Sequence, residues 1–150
     1  MTTGGWVLLA VVLFVLAFAT YRFATDGTFR GTHRVRGASG GTSTEETAAS
    51  VLTGAGVEIP LGERATLLQF SSAFCAPCRA TRRVLDEVVG LVPGVTHVEI
   101  DAEHHLEVVR ALRVLRTPTT LILDPHGHEV LRASGLPQRD QVLASLADAT

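Results

Sequence analysis

This chain of 150 residues has two cysteines, no lysine, and single Met, Trp and Tyr residues. The cysteines are Cys75 and Cys78, and no second CxxC exists to complete a four-ligand zinc site. The remaining candidate ligands are His97, His104, His105, His126 and His128, and His126-Gly127-His128 lies in a turn-like stretch where histidines are usually solvated. A purely structural disulfide is poorly served too, because CxxC closes a very small loop and restrains little of the unfolded chain. Without lysine, all 13 basic residues are arginine. Residues 37–150 carry nine of them against 14 acidic residues, a balance of about −5, with no basic patch for nucleic acid. No nucleotide or flavin motif and no internal repeat is present.

Charge is also missing from Trp6 to Thr20, WVLLAVVLFVLAFAT, which has no proline either. Residues 3–21 as a helix span about 28 Å, close to the roughly 30 Å hydrocarbon core of a bilayer. Trp6 and Tyr21 sit at its ends, where amphipathic aromatics favour the interface. A soluble core helix would show polar positions every third or fourth residue. Ala17-Phe18-Ala19 would suit signal-peptide cleavage, but no Lys or Arg precedes the run as a positive n-region requires. Arg22, Arg30, Arg34 and Arg36 follow it instead, against Asp26 alone. The expectation is a single membrane span with this flank, and the domain after it, in the cytoplasm. An extracytoplasmic domain is the alternative. Residues 22–44, rich in Gly, Thr, Ser and Arg, read as a flexible tether. The resulting division is 1–21 transmembrane helix, 22–44 tether and 45–150 globular domain, within the length of one ordinary domain plus an appendage.

What is present in the globular part is Cys75-Ala76-Pro77-Cys78, behind the apolar run Ala65 to Phe70 and ahead of a helical stretch, Arg79 to Val89. Thiols spaced i, i+3 at a helix start lie one turn apart on one face, close enough to join. The free N–H groups and positive dipole end of a first turn favour a thiolate. An ordinary thiol is only about 3% ionised at pH 7, and one lowered toward a pKa of about 7 is about half ionised. The thiolate is the nucleophile of disulfide exchange, so the pair reads as a dithiol/disulfide switch.

Around it, Ser43-x-x-Glu46 suggests a capping box and a helix over 44–53. Residues 65–71 read as a buried strand, and a helix from Cys75 to Val89 ends at Pro93-Gly94. Val95 to Ile100 alternates as a strand, and Glu103 to Val114 has helical spacing. Thr119 to Leu123 and His128 to Ala133 form a hairpin around Asp124-Pro125-His126-Gly127, and a helix over Pro137 to Ala147 closes the chain. A β-α-β unit plus a hairpin implies a mixed sheet with helices on both faces.

Over about residues 64–148 this pattern resembles the thioredoxin-like family. The carriers are strand-SSAFCAPC-helix, the strand ending His97-Val98-Glu99-Ile100-Asp101, and Arg116-Thr117-Pro118-Thr119 about 40 residues after the cysteines. The resemblance implies an α/β thioredoxin-like fold, a mixed central sheet flanked by helices and here preceded by one transmembrane helix. It also implies a thiol–disulfide oxidoreductase in which Cys75 is the nucleophile and Cys78 the resolving thiol. Pro118 would be cis and form the client-docking surface with Thr117. Pro77 holds a position typical of reducing members, while Phe74 and Ala76 replace the usual Trp and Gly. Gln69 replaces a buried aspartate that helps deprotonate the resolving cysteine, and His97 replaces a nearby lysine. An amide cannot accept that proton, so either His97, Glu99 or a water takes that role, or Gln69 and His97 are packing substitutes. Arg79, Arg82 and Arg83 on the following helix either form a solvated face or add positive charge that favours a thiolate, and Arg83 replaces a kinking proline.

The expected partners are protein disulfides, an unidentified thiol electron donor, and the membrane through residues 3–21. No cofactor is implied. Two other roles share these features: a dedicated membrane redox or assembly factor, and a non-catalytic adaptor that docks one client.

Overall fold

A computed structural model describes residues 3–25, 27, 29–31 and 47–149. Helix α1 (Thr3–Thr25) carries the apolar run and is long and apolar enough to cross a membrane. None of its Gly4–Tyr21 stretch is buried against the rest of the protein. The helix extends past Tyr21, where the sequence reading ended the span, to Thr25.

The remaining elements are β1 (Phe29–Gly31), α2 (Ala48–Gly54), β2 (Ala65–Ser71), α3 (Ala76–Leu91), β3 (Val95–Asp101), α4 (Leu106–Ala111), β4 (Thr119–Leu123), β5 (Glu129–Ser134) and α5 (Arg139–Ala149). The five strands form one sheet in the order β1-β5-β4-β2-β3. Only β2 and β3 run parallel, joined by α3, and the other neighbours are antiparallel.

Strand β2 sits near the middle of the sheet, and all seven of its residues are buried. Its alternation divides the core between two faces. Leu68 and Phe70 pack with Leu121, Leu123 and Ile100 under α2 and α4, through Leu52 and Val108. Ala65 and Leu67 pack with Ile122 and Val95 under α3 and α5, through Leu85, Val88, Val142 and Leu146. Gln69 shares the parity of Leu67 and therefore lies beneath α3.

Three local expectations change. Residues 22–44 read as a tether, but Thr25 and its predecessors are helical and Phe29–Gly31 is a strand paired with β5. The cause is Phe29, which packs against the α3/α5 core cluster. Gly27 makes the approach possible: its φ is +77°, its N–H donates to the Ser134 carbonyl at 2.8 Å, and a Cβ there would overlap the Leu136 carbonyl. Residues 32–46, including Arg34, Arg36 and the Ser43-x-x-Glu46 box, lie outside the described residues. The observed N-cap of α2 is Thr47, whose hydroxyl accepts from the Ser50 N–H at 2.9 Å.

Helix α4 is shorter than the spacing over 103–114 predicts. Asp101 accepts the Glu103 N–H in a turn before it, and Arg113 takes a φ of 51° after it.

Candidate functional site

The site lies at the carboxyl end of β2. Cys75 is the N-cap of α3, and its Sγ accepts the Cys78 N–H at 3.1 Å. Pro77 stands in the first helical turn, where its missing N–H costs no hydrogen bond. Cys75 is half-buried, whereas Cys78, one turn in, is 2% exposed. The two are joined as a disulfide with Cα atoms 5.2 Å apart. Helix α3 continues without interruption through Arg83.

Facing this turn is the start of β4, where the Thr117–Pro118 bond is cis and Pro118 is buried. The Thr117 hydroxyl lies 3.2 Å from that of Ser72, tying the two loops together. Ser72 was not singled out from sequence. The available signal was a hydroxyl at the end of a buried apolar strand, and its carbonyl also accepts the Cys75 N–H at 3.3 Å. Phe74 and Leu115 stand beside the site at 99% and 94% exposure. Ala76 is exposed on the first helical turn.

Beneath the disulfide the structure brings Gln69 and Glu99 together. They are register partners across β2 and β3. The Gln69 amide Nε2 donates to the Cys78 carbonyl at 3.1 Å and to Glu99 Oε1 at 3.4 Å. The other carboxylate oxygen of Glu99 pairs with Arg82. His97 is placed differently: its register partner is Leu67, and its Nδ1 lies 2.7 Å from Asp86 Oδ1. Gln69 Oε1 and His97 Nε2 are both buried without a hydrogen-bond partner in the protein.

Cys75, Cys78, Ser72, Arg82, Glu99 and Asp101 line a cavity of about 390 Å³ beside the disulfide, ample for several waters. The backbone N–H of Glu103, with help from His104, holds the Asp101 carboxyl below its ordinary value. Asp101 is therefore an anion at the cavity mouth at neutral pH. Among the described residues no cluster of three or more His, Cys, Asp or Glu side chains could hold a metal.

The arrangement is suited to thiol–disulfide exchange. The more exposed sulfur, Cys75 Sγ, accepts a backbone N–H at a helix start, a position that favours a thiolate once a disulfide is reduced. The second sulfur is shielded directly behind it.

Comparison with known proteins agrees. The thioredoxin family model matches residues 57–148. The chain is 31% identical over 88 residues to a thioredoxin of Alicyclobacillus acidocaldarius subsp. acidocaldarius, covering 58% of this chain and 83% of that one. It is 31% identical over 77 residues to a thioredoxin of Chlamydia trachomatis serovar D, covering 51% and 74%. Against Thioredoxin H2-1 of Oryza sativa subsp. japonica it is 33% identical, and the match spans 49% of that protein's length. In fold it is similar to a mutant thioredoxin from Halobacterium salinarum NRC-1, with a TM-score of 0.55 at 18% identity over 74% of this chain and 86% of the other. The site geometry and these matches together establish that the chain belongs to the thioredoxin family, with residues 57–148 forming a thiol–disulfide oxidoreductase domain around Cys75 and Cys78.

Proposed function

We propose that the protein is a membrane-anchored reductase of protein disulfides, with Cys75 as nucleophile and Cys78 as resolving thiol. The observation that carries this is their unequal burial about one helix N-terminus. In the reduced form the Cys75 thiolate attacks a client disulfide. One client sulfur leaves as a thiolate, and the other is joined to Cys75. Cys78 then loses its proton and attacks Cys75 Sγ, which releases the second client thiol and closes the disulfide of this structure. Two electrons have passed to the client, and an external dithiol must return them.

The proton of Cys78 goes to Glu99. Gln69, which occupies the place of the family's buried acid, cannot take it. Glu99 lines the same cavity as Cys78 and is hydrogen-bonded to the Gln69 amide, and that cavity has room for a water to carry the proton between them. His97 is engaged by Asp86 instead. Thr117 and cis-Pro118 present the backbone edge against which a client segment lies.

Helix α1 is the anchor, supported by its length, its apolar composition and its lack of burial in the domain. The arginines at 22, 30, 34 and 36 favour a cytoplasmic domain, which a reporter fused to the C-terminus tests directly.

The catalytic reading is tested by reduction of insulin disulfides with dithiothreitol as electron source. Wild type accelerates the reaction, and Cys75→Ser abolishes the acceleration. Equal acceleration by wild type and Cys75→Ser would refute the assignment, and no acceleration by wild type would leave an adaptor role.

A further inference from the structure

The anchor enters the domain at the end of the sheet that carries the disulfide. Strand β1 is antiparallel to β5, with Phe29 opposite Ala133. Ala133 pairs with Thr120, and Thr120 with Gln69. From that level β2 leads to Ser71 and Cys75, β4 leads back to Pro118, and β1 leads back to Gly27. A hydrogen-bond chain fixes the relation: Gly27 N–H donates to the Ser134 carbonyl, and the adjacent Gly135 N–H donates to the Pro118 carbonyl, both at 2.8 Å. With strands about 4.8 Å apart, Gly27 lies roughly 10 Å from the cis-Pro strand and 15 Å from β2.

The covalent path to the apolar helix is equally short. Asp26 alone separates Thr25, the last residue of α1, from Gly27, a span of about 7 Å at most. Tyr21, the last residue of the apolar stretch, is about 6 Å of helical rise before Thr25. No tether of tens of residues intervenes. Residues 32–46 follow β1 in the sequence, so their length does not separate β1 from α1.

The same end of the sheet presents exposed apolar side chains. Phe74 precedes the disulfide, Leu115 precedes the cis-Pro segment, and Leu136, 37% exposed, follows Gly135.

We propose that the Cys75–Cys78 site faces the membrane in which α1 sits, and that its partner is a disulfide carried by a membrane-resident protein close to the lipid headgroups. This rests on α1 being a membrane anchor and on the exchange chemistry given above. A site held at the surface meets a disulfide confined to the same layer at a high effective concentration, while a soluble disulfide gains nothing from the anchor. The reaction is unchanged: the two electrons of the dithiol reduce the partner's S–S bond.

The full chain in phosphatidylcholine/phosphatidylglycerol vesicles tests this. Cys78→Ser leaves Cys75 as the single labelling site. A variant lacking both native cysteines and carrying Glu63→Cys places the same fluorophore at the opposite end of β2. Energy transfer to acceptor-labelled headgroups should put the Cys75 label about 20 Å nearer the lipid plane, the length of the strand. Equal distances, or a nearer label at residue 63, overturn the orientation while anchoring stands. A chain that does not stay with the vesicles overturns the anchor and the proposal with it.

In a second arm, wild type in the same vesicles should exchange about 10-fold or more faster with a disulfide peptide fixed to headgroups than with the same peptide free at equal bulk concentration. A long Gly/Ser insertion after Asp26 should lower that preference. Equal rates for wild type overturn the partner class alone. No exchange with either peptide counts against the oxidoreductase reading on which the proposal rests.

Discussion

At Gln69 an amide, not an acid, lies beneath the resolving cysteine of the proposed mechanism. It is fully buried and holds the Cys78 carbonyl and the Glu99 carboxylate on one Nε2. The proton acceptor proposed above lies one strand over, at Glu99, which lines the cavity beside Cys78 and is paired with Arg82. Glu99→Gln keeps the shape but removes the proton acceptor. Release of a mixed disulfide held on Cys75 should slow by about 10- to 100-fold, while initial attack by Cys75 keeps its rate. Single-turnover release of a labelled client peptide measures both steps, and an unchanged release rate would remove Glu99 from the mechanism. Gln69→Asp is the complementary variant: it restores an acid beneath Cys78 and should speed release, most clearly in a Glu99→Gln background, where no second carboxylate opposes its ionisation. Slower release in that double variant would show that the amide matters for position alone. The cysteines were legible in the sequence because i, i+3 spacing at a helix start depends on local geometry only. The Gln69–Glu99 pair was not, since it depends on the register of β2 against β3, and the sequence favoured no particular partner among His97, Glu99 and water.

Among the elements, those with periodicity, caps or turn chemistry were readable, α2 and α4 with shifted bounds, and β1 was not. Strand β2, helix α3 and the β4–β5 hairpin follow from apolar runs and from Asp124-Pro125-His126-Gly127. Strand β1 offers only Phe-Arg-Gly, too short for any alternation, and it forms because Phe29 finds the α3/α5 core and Gly27 fits against Leu136. Gly27→Ala combines an unfavourable φ with overlap on backbone and should cost about 1–3 kcal/mol. The loss should be local, seen as faster amide exchange in β1 with the other strands still protected. Full protection of β1 in the variant would contradict the docking. In the hairpin, Asp124 Oδ1 accepts the N–H groups of His126 and His128 at 2.8 and 2.9 Å. Burial opposes its ionisation, but these two bonds and the His128 side chain outweigh it and hold the carboxyl below its ordinary 3.8. A depressed carboxylate stabilises the fold fully above its unfolded value, and the contribution is lost as pH falls through the folded one. Asp124→Ala should therefore cost about 1–2 kcal/mol at neutral pH, with a smaller difference from wild type near pH 3, measured by urea midpoints. An equal difference at both pH values would show that the carboxylate charge plays no part.

For the whole molecule, family and chemistry were accessible from CAPC followed by Thr117-Pro118-Thr119, because both motifs belong to one site. The relation of α1 to the site was not, because it depends on which edge of the sheet receives the chain after α1. Composition made residues 22–44 look uniformly polar and loose, whereas a single apolar side chain at Phe29 commits the start of that stretch to the β5 edge. All of this depends on Cys75 reacting first, with Cys78 behind it. The most direct measurement is trapping with insulin as client on the full reduced chain, read by mass spectrometry of the cysteine peptides. Cys78→Ser should accumulate a stable mixed disulfide on Cys75, and Cys75→Ser should form none on the same time scale. A mixed disulfide forming on Cys78 in the Cys75→Ser protein as fast as one forms on Cys75 would contradict the account.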